Sequence, residues 1–137
     1  MEALRQDVYT IDDIYAFPDG ERAELIDGKL YMMAPPSRPH QRILGFLFRK
    51  IADYIDSKDG ECEVDAAPFA VFLNKDEINY VVPDILVVCD PSKLDEKGCH
   101  GAPDWVIEIV SESSRRMDYA IKLFKYHSAG VKEYWIV

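Results

Sequence analysis

Two apolar segments, residues 80–88 and 105–111, constrain this chain most, because each has the composition of a buried β-strand and yet carries a carboxylate in its middle. In YVVPDILVVCD the aliphatic run is interrupted by Pro83 and Asp84, and in DWVIEIVSE it is interrupted by Glu108. A carboxylate in apolar surroundings is costly unless it is paired, hydrogen-bonded or bound to a metal. Pro83 also removes a backbone donor, which predicts an edge, a bulge or a splayed strand.

The two acids are expected to lie close together on one face of the sheet. Strand alternation puts Glu108 on one face with Val106 and Val110, and an antiparallel neighbour joined by a long loop would bring Asp84 to that face. Two carboxylates about 4 Å apart repel by about 4 kcal/mol at an effective dielectric of 20, so a positive group must offset them. Mg²⁺, which takes one or two protein carboxylates, would do so. The acids could equally pair with a buried lysine or arginine, or face solvent at an edge.

The segment after the second strand supplies a candidate cation. A serine-rich cap precedes a predicted helix that ends near Ser128, with Gly130 as its stop. Helical spacing puts one polar stripe together: Arg115, Tyr119, Lys122 and Tyr126. A separate apolar arc is predicted to be the buried face: Met117, Ala120, Ile121, Leu123, Phe124 and His127. Lys122 is then either a cation directed at the acids or an ordinary surface lysine.

The rest of the chain predicts an α/β (α+β) protein with the order α, ββ, α, β, β, β, α, β. Turn, capping and periodicity signals give the elements before the first acid. These are a short helix capped by Thr10 and stopped by Pro18, a hairpin turning at Asp27-Gly28, a helix from Pro39 to about Asp56, and a strand over Glu61–Leu73 bulged near Pro68. Residues 89–103 are polar and turn-rich, which predicts a surface loop.

Length and composition limit the classes of protein. A chain of 137 residues, 48% apolar and 30% charged, is expected to form a single domain, residues 1–137. Its net charge of −9 argues against a protein that coats nucleic acid electrostatically. It leaves metal-dependent phosphate chemistry open, because a site built of carboxylates is acidic before its cation binds. The apolar run at Val137 leads us to expect a truncated domain that continues with further strands.

The sequence also predicts the compartment. No run approaches the roughly 18 apolar residues of a membrane span, and the first ten residues lack a signal-peptide core. Three cysteines, Cys62, Cys89 and Cys99, are an odd and sparse set that predicts reduced thiols and a cytoplasmic protein. Cys89, Cys99 and His100 in one predicted loop make only a weak zinc pattern, because no paired C-x-x-C is present.

Several strings together resemble a known family. VPD on one strand and EIV on the next are similar to the PD-(D/E)XK nuclease signature, and ELIDGKLYMMAPPSRPHQRI, PDILVV and WVIEIVSESSRRMDYAIKLFKYHSAGVKEYWIV are more specific. From about Tyr9 to the last residue the chain resembles the Uma-type family of restriction-endonuclease-like proteins. That resemblance implies a restriction-endonuclease-like core, with a central mixed β-sheet flanked by helices and an N-terminal hairpin.

The resemblance also implies a site. Asp84 and Glu108 match the catalytic metal-binding acids, and the main-chain carbonyl of Ile109 matches a further metal ligand. The position of the usual lysine is occupied by Val110, and Lys122 on the next helix matches the place to which the lysine has moved in this family. Glu24 matches a further catalytic position, binding a second metal or positioning water. Three further residues are weaker candidates, either as substrate phosphate contacts or as side chains that support the metal ligands: His40, Arg115 and Tyr126. Tyr126 could instead be an ordinary, partly buried amphipathic side chain.

The function that the resemblance implies is Mg²⁺- or Mn²⁺-dependent hydrolysis of phosphodiester bonds. The partner would be nucleic acid, with DNA favoured over RNA, and the assembly a homodimer without membrane contact. Glu24 could instead be an exposed hairpin charge, His40 a locally bonded helix-start residue, and Arg115 a solvated one. The alternative function is a catalytically silent domain that keeps the nuclease fold for protein assembly or regulation, which the net charge favours.

Overall fold

A computed structural model describes residues 8–137, and a four-stranded mixed sheet forms its centre. In chain order the elements are α1 (Ile11–Tyr15), β1 (Ala23–Ile26), β2 (Lys29–Met32), α2 (Arg38–Asp56), β3 (Glu63–Ala66), β4 (Val71–Phe72), β5 (Ile85–Val88), a 3₁₀ turn (Pro91–Lys93), β6 (Leu94–Asp95), β7 (Gly98–His100), β8 (Trp105–Glu108), a π-helical turn (Met117–Ile121), α3 (Lys122–Ala129) and β9 (Glu133–Ile136). Within this part of the chain, no helix combines the length and apolarity needed to cross a bilayer.

The central sheet has the order β3-β5-β8-β9. β5 pairs antiparallel with both β3 and β8, whereas β8 and β9 are parallel. The sheet is therefore mixed and is accompanied by helices, as predicted for an α+β protein with a restriction-endonuclease-like core. The antiparallel β5–β8 pair matches Leu86 with Val106, which fixes the register of the two acid-bearing segments.

The two faces of the central sheet bury different side chains, in keeping with the period of two. On one face, Ile85, Val87 and Ile107 pack with Ile51 of α2. On the other face a second core includes four side chains from β5, β8 and α3: Leu86, Val88, Val106 and Tyr126. By alternation, Asp84 and Glu108 belong with this second set, which includes the Tyr126 side chain of α3.

The predicted N-terminal hairpin is present as β1 and β2. Asp27 and Gly28 turn with φ angles of 49° and 82°, the left-handed conformation that a two-residue hairpin turn requires. A backbone bridge between Leu25 and Tyr80 joins the hairpin to the segment that precedes β5. The hairpin is thereby held next to the proline-interrupted stretch.

Several of the predicted elements differ from those observed. The strands predicted over 80–88 and 105–111 are shorter, as β5 (Ile85–Val88) and β8 (Trp105–Glu108). Residues 61–73 form β3 and β4 instead of one bulged strand, and the two belong to different sheets. Pro68 lies between them and has no N–H with which to continue a ladder. The segment 89–103, predicted as a loop, contains β6 and β7, which join β4 in a three-stranded sheet. Such strands of two or three residues are too short to give a periodic signal.

The predicted buried face of the last helix is wrong for most of its residues, whereas Met117 and Ile121 do pack against the core. Leu123 and Phe124 are exposed by 47% and 72%, whereas Lys122, Lys125 and Tyr126 are buried. Polar partners on the neighbouring elements, described below, hold this polar face inward. The π-helical turn Met117–Ile121 also closes wider rings than an α-helix, so the residues on either side of it do not share one 3.6-residue register.

The prediction of reduced thiols is wrong for two of the three cysteines. Cys62 and Cys89 form a disulfide. They flank the pair Glu63–Val88 in the β3–β5 register, so they lie opposite each other at the end of the two strands. Cys99 is free and buried, and burial raises the pKa of its thiol to about 11.

This pairing predicts a specific thiol count. In a DTNB titration of protein denatured without reductant, one thiol per chain should react, that of Cys99. After reduction of the disulfide, three thiols per chain should react. Native protein should react slowly, because Cys99 is buried and protonated at neutral pH. The Cys99→Ser variant is the control and should give none before reduction. Three reactive thiols without reductant would show that the disulfide does not form.

Candidate active site

The site begins where Pro83 interrupts the strand. Because proline has no N–H, the donors on either side of it, at Val82 and Asp84, need partners outside a regular ladder. The Val82 N–H donates to Glu24 Oε2 at 2.8 Å, and the Asp84 N–H donates to Glu108 Oε1 at 3.2 Å. The two glutamates are therefore held in place by the same irregular stretch of backbone.

Asp84 and Glu108 are linked in both directions across β5 and β8. While the Asp84 N–H donates to Glu108, Asp84 Oδ2 accepts a hydrogen bond from the Ile109 N–H at 2.7 Å. Charge-assisted bonds to backbone N–H groups fix a carboxylate firmly. The predicted meeting of the two acids is thus observed, and Ile109 lies beside them with its backbone engaged.

Lys122 provides the positive charge between the acids. Its Nζ lies 2.8 Å from Glu24 Oε1 and 2.9 Å from Glu108 Oε2. All three side chains are buried. Burial by itself lowers the pKa of Lys122, but the attraction of Glu108 and Glu24 outweighs it and holds that pKa well above its ordinary value. Lys122 therefore carries a full positive charge at neutral pH.

Tyr126, one turn after Lys122, completes the surroundings of Glu108. Its hydroxyl donates to Glu108 Oε2 at 2.9 Å, and the side chain is 1% exposed. Burial and the neighbouring charges of Glu108 and Glu24 raise the pKa of Tyr126, so the phenol stays protonated and remains a donor. Of the two roles predicted for Tyr126, a phosphate contact or support of a metal ligand, this position behind the acid favours the second.

The sequence analysis missed one member of the cluster, Asp118. This carboxylate is buried, lies 3.9 Å from the Lys122 ammonium and accepts a 2.8 Å hydrogen bond from the Ser114 hydroxyl. Burial raises the pKa of Asp118, and the hydrogen bond from Ser114 and the charge of Lys122 oppose that rise. The spacing of four residues between Asp118 and Lys122 was a signal that could have identified it.

The other predicted site residues divide into two groups. His40, in the first turn of α2, lies at the site, with Nε2 3.2 Å from Asp84 Oδ2 and Nδ1 2.8 Å from Gln41 Oε1. Arg115 is exposed and lines a separate surface depression with Arg116 and Tyr119, so the structure does not bring it to the acids.

A cleft of about 610 Å³ opens over the cluster. Six of the residues discussed above line it: Glu24, His40, Asp84, Glu108, Asp118 and Lys122. The Asp84 and His40 side chains are 17% and 13% exposed, which makes them the most accessible members. The cluster is therefore open to solvent on the Asp84 side and closed on the Lys122 side.

The charges in the cleft do not balance. Four carboxylates, those of Glu24, Asp84, Glu108 and Asp118, surround one ammonium group. Burial, and then repulsion from Glu24 and Asp84, raises the pKa of Glu108 to about 8 although Lys122 acts in the opposite direction. Without a bound cation, this excess of negative charge favours protonation of Glu108, the acid whose pKa is raised to about 8. A divalent cation would serve the same purpose.

The pKa shift of Glu108 predicts how stability depends on pH in the presence of EDTA. Between the ordinary pKa of 4.5 and the folded-state value of about 8, the folded protein holds a proton that the unfolded chain lacks. Wild-type stability therefore falls as pH rises through this window, by at most about 1.4 kcal/mol per pH unit relative to Glu108→Gln, which cannot ionise. Urea unfolding of both proteins at several pH values measures the difference.

The control for this experiment is Glu96→Gln, at an exposed position, which should follow the wild type at every pH. The assigned protonation would be contradicted if the difference in unfolding free energy between wild type and Glu108→Gln stayed constant with pH. It would also be contradicted if the wild type became the more stable of the two as pH rises.

Comparison with solved structures supports the fold. The chain is similar to a crystal structure from Anabaena variabilis ATCC 29413 described as a "putative nuclease belonging to DUF820", with a TM-score of 0.71 and 20% sequence identity. The match covers 93% of this chain and 73% of that one. At this level of identity the likeness establishes a shared fold.

Sequence comparison identifies the family. An uncharacterized protein of Synechocystis sp. is 28% identical over 118 residues, which are 85% of this chain, and the chain spans 60% of that relative's length. The family model Uma2, described as "Putative restriction endonuclease", matches residues 8–137. The protein therefore belongs to the Uma2 family of restriction-endonuclease-like proteins.

Proposed function

We propose that the protein is a nuclease that uses Mg²⁺ or Mn²⁺ to hydrolyse phosphodiester bonds in nucleic acid. The observation that carries this proposal is the convergence of Asp84, Glu108 and Lys122 at a cleft that solvent reaches from the Asp84 side. Family membership agrees with it. The chemistry fits, because acids that face an excess of negative charge are poised to accept a cation.

The donor set suits a hard cation with few protein ligands. Among residues 8–137, the His, Cys, Asp and Glu side chains form no group of three or more that is arranged to hold a metal ion. Mg²⁺ in phosphate-transferring sites commonly takes one or two carboxylates and completes its shell with water and substrate. Asp84 and Glu108 would be those carboxylates, with the Ile109 carbonyl as a main-chain ligand. When bound, such a cation polarises the phosphate and lowers the pKa of a coordinated water.

The remaining residues have distinct roles in this proposal. The Lys122 ammonium orients the attacking water and stabilises the charge that develops on the phosphate oxygens. Glu24 holds Lys122 in place, and Tyr126 fixes the Glu108 carboxylate. His40, next to Asp84 at the accessible side of the cleft, is placed to contact a substrate phosphate. Arg115 has no role here, because it lies outside the cleft.

A catalytically silent domain is the second candidate. It is favoured by the Glu108 carboxylate, whose Oε1 accepts the Asp84 N–H and whose Oε2 is already engaged by Lys122 and Tyr126. Metal titration separates the two functions, since a silent domain has no need to bind Mn²⁺ through Asp84.

The homodimer, the cytoplasmic location and the preference for DNA over RNA remain predictions from the sequence. The disulfide weakens the argument for a cytoplasmic location, which rested on reduced thiols.

The direct test is cleavage of labelled DNA and RNA in Mg²⁺ or Mn²⁺ by wild type and Asp84→Asn. Asparagine keeps the oxygen that accepts the Ile109 N–H but removes the charge, so we expect the fold to persist and the cleavage rate to fall at least about a hundredfold. EDTA should abolish cleavage by the wild type. Asp76→Asn is the matched control outside the cleft and should leave the rate unchanged.

Lys122→Met tests the role of the cation. It leaves three buried acids, Glu24, Glu108 and Asp118, without their counter-charge. Breaking a buried pair commonly costs about 3–5 kcal/mol, so the folding of this variant must be checked by circular dichroism. A folded Lys122→Met or Asp84→Asn protein that cleaves as fast as the wild type would overturn the mechanism. A wild type that cleaves neither DNA nor RNA would favour the silent domain.

A further inference from the structure

The exposed face of α2 has a composition unlike the rest of the chain. Four cationic side chains lie on this one helix, together with two anionic ones, in a chain whose net charge is −9. The cationic residues are Arg38, Arg42, Arg49 and Lys50, and all four are exposed. Among the described residues, no carboxylate forms an ion pair with any of them. This helix therefore presents positive charge that the fold itself does not use.

Two aromatic rings lie among these charges. Phe46 and Tyr54 are 51% and 64% exposed, far more than rings that serve a core. At 100° per residue they lie about 80° apart around the helix and about 12 Å apart along it, with Lys50 between them. The Lys50 ammonium is 5.5 Å from the Phe46 ring centre, and the Lys58 ammonium, just beyond the helix, is 5.1 Å from that of Tyr54.

Cations interleaved with exposed rings suit one kind of ligand. Proteins that bind single strands combine a positively charged surface for the phosphates with aromatic side chains on which bases stack. Duplex DNA offers the same phosphates but keeps its bases stacked internally, so exposed rings would gain little from it. Asp53 and Asp56 also lie on the exposed side of α2 and limit its net charge to a modest positive value.

The position of α2 connects this face to the site. Ser37, His40 and Gln41, at the start of the helix, line the cleft that holds Asp84. The helix is 19 residues long, or about 28 Å, and leads away from that cleft. At 100° per residue, these cationic and aromatic side chains lie on the side of α2 opposite to Ser37, His40 and Gln41, so a strand held by them reaches the acids by crossing the N-terminus of the helix.

We propose that the exposed face of α2, formed by Arg38, Arg42, Phe46, Arg49, Lys50 and Tyr54, binds single-stranded nucleic acid and guides it into the cleft. The proposal rests on the proposed function in taking nucleic acid as the substrate. Beyond that function, it specifies the surface that holds the nucleic acid and the single-stranded state in which it is held. The arginines and Lys50 contact phosphates, and the two rings stack on bases.

Binding measured without catalysis tests this surface. Fluorescence anisotropy with a labelled oligo(dT) of about 20 nucleotides, in EDTA and over a range of salt concentrations, gives affinity and its salt dependence. Arg42→Gln/Arg49→Gln removes two phosphate contacts and should make the slope of log K against log salt shallower by about 1.4. Phe46→Ala/Tyr54→Ala removes two stacking rings and should weaken binding at least about thirtyfold while leaving that slope unchanged.

Matched controls use exposed side chains on other elements. Lys29→Gln/Lys97→Gln makes the same change of charge on β2 and in the β6–β7 turn, and Phe124→Ala removes a ring that is 72% exposed on α3. These variants should bind as the wild type does. All variants should keep the wild-type melting temperature, because every substituted side chain is on the surface.

Three results would overturn the proposal. The first is that both α2 double variants bind the oligonucleotide as tightly as the wild type, or that the control variants lose as much affinity as the α2 variants do. The second is tighter binding of a duplex of the same length with no effect of the ring substitutions. The third is a wild-type dimer in sedimentation experiments that Phe46→Ala dissociates, which would assign the face to a second copy of the chain.

The outcome is separable from that of the proposed function. If the wild type cleaves nucleic acid and Asp84→Asn does not, but the α2 variants bind normally, the nuclease stands and this surface is wrong. If α2 binds the oligonucleotide while no cleavage occurs in Mg²⁺ or Mn²⁺, the surface stands and the nuclease is wrong.

Discussion

A single buried ammonium group among carboxylates is the interaction on which the rest of this structure depends. Lys122 Nζ lies within 3 Å of oxygens from Glu24 and Glu108, and these come from the hairpin and the central sheet. Lys122 itself begins α3. Three separate parts of the fold are thus joined at one atom. The neighbouring Lys125 adds a second tie, a 2.7 Å contact with Asp27 at the hairpin turn. Charge and hydrogen bonding thus turn the polar side of the last helix inward beside the buried Tyr126 ring, and Leu123 and Phe124 are left on the surface.

The proline in the strand explains why the acids are where they are. Pro83 ends the regular ladder, and the N–H groups beside it turn to the side chains of Glu24 and Glu108 instead of to a neighbouring strand. A buried backbone donor without a partner is costly, so these two glutamates serve the fold as well as any chemistry. The same interruption leaves Asp84 at the edge of the cleft, where it is the most solvent-accessible of the four acids.

Sequence reasoning succeeded where a residue violated its local pattern. A carboxylate inside an aliphatic strand is rare enough to be informative, and two in adjacent strands identified Asp84 and Glu108, with alternation giving their shared face. It failed for α3, because most of the apolar arc is left on the surface and the π-helical turn changes the register before Lys122. Asp118 and Lys125 were missed for the same reason, since polar residues on a helix are ordinarily solvated. The disulfide was missed because three cysteines at unequal spacing do not reveal which pair is adjacent in space.

Diffraction from crystals grown with Mn²⁺ would show whether Asp84 and Glu108 hold a divalent cation beside Lys122. An anomalous difference map should show one strong Mn²⁺ peak in ligand contact with both carboxylates, and that peak should be absent for Asp84→Asn. A map without a peak at these acids, with the Lys122 ammonium still in contact with Glu24 and Glu108, would contradict this cation site.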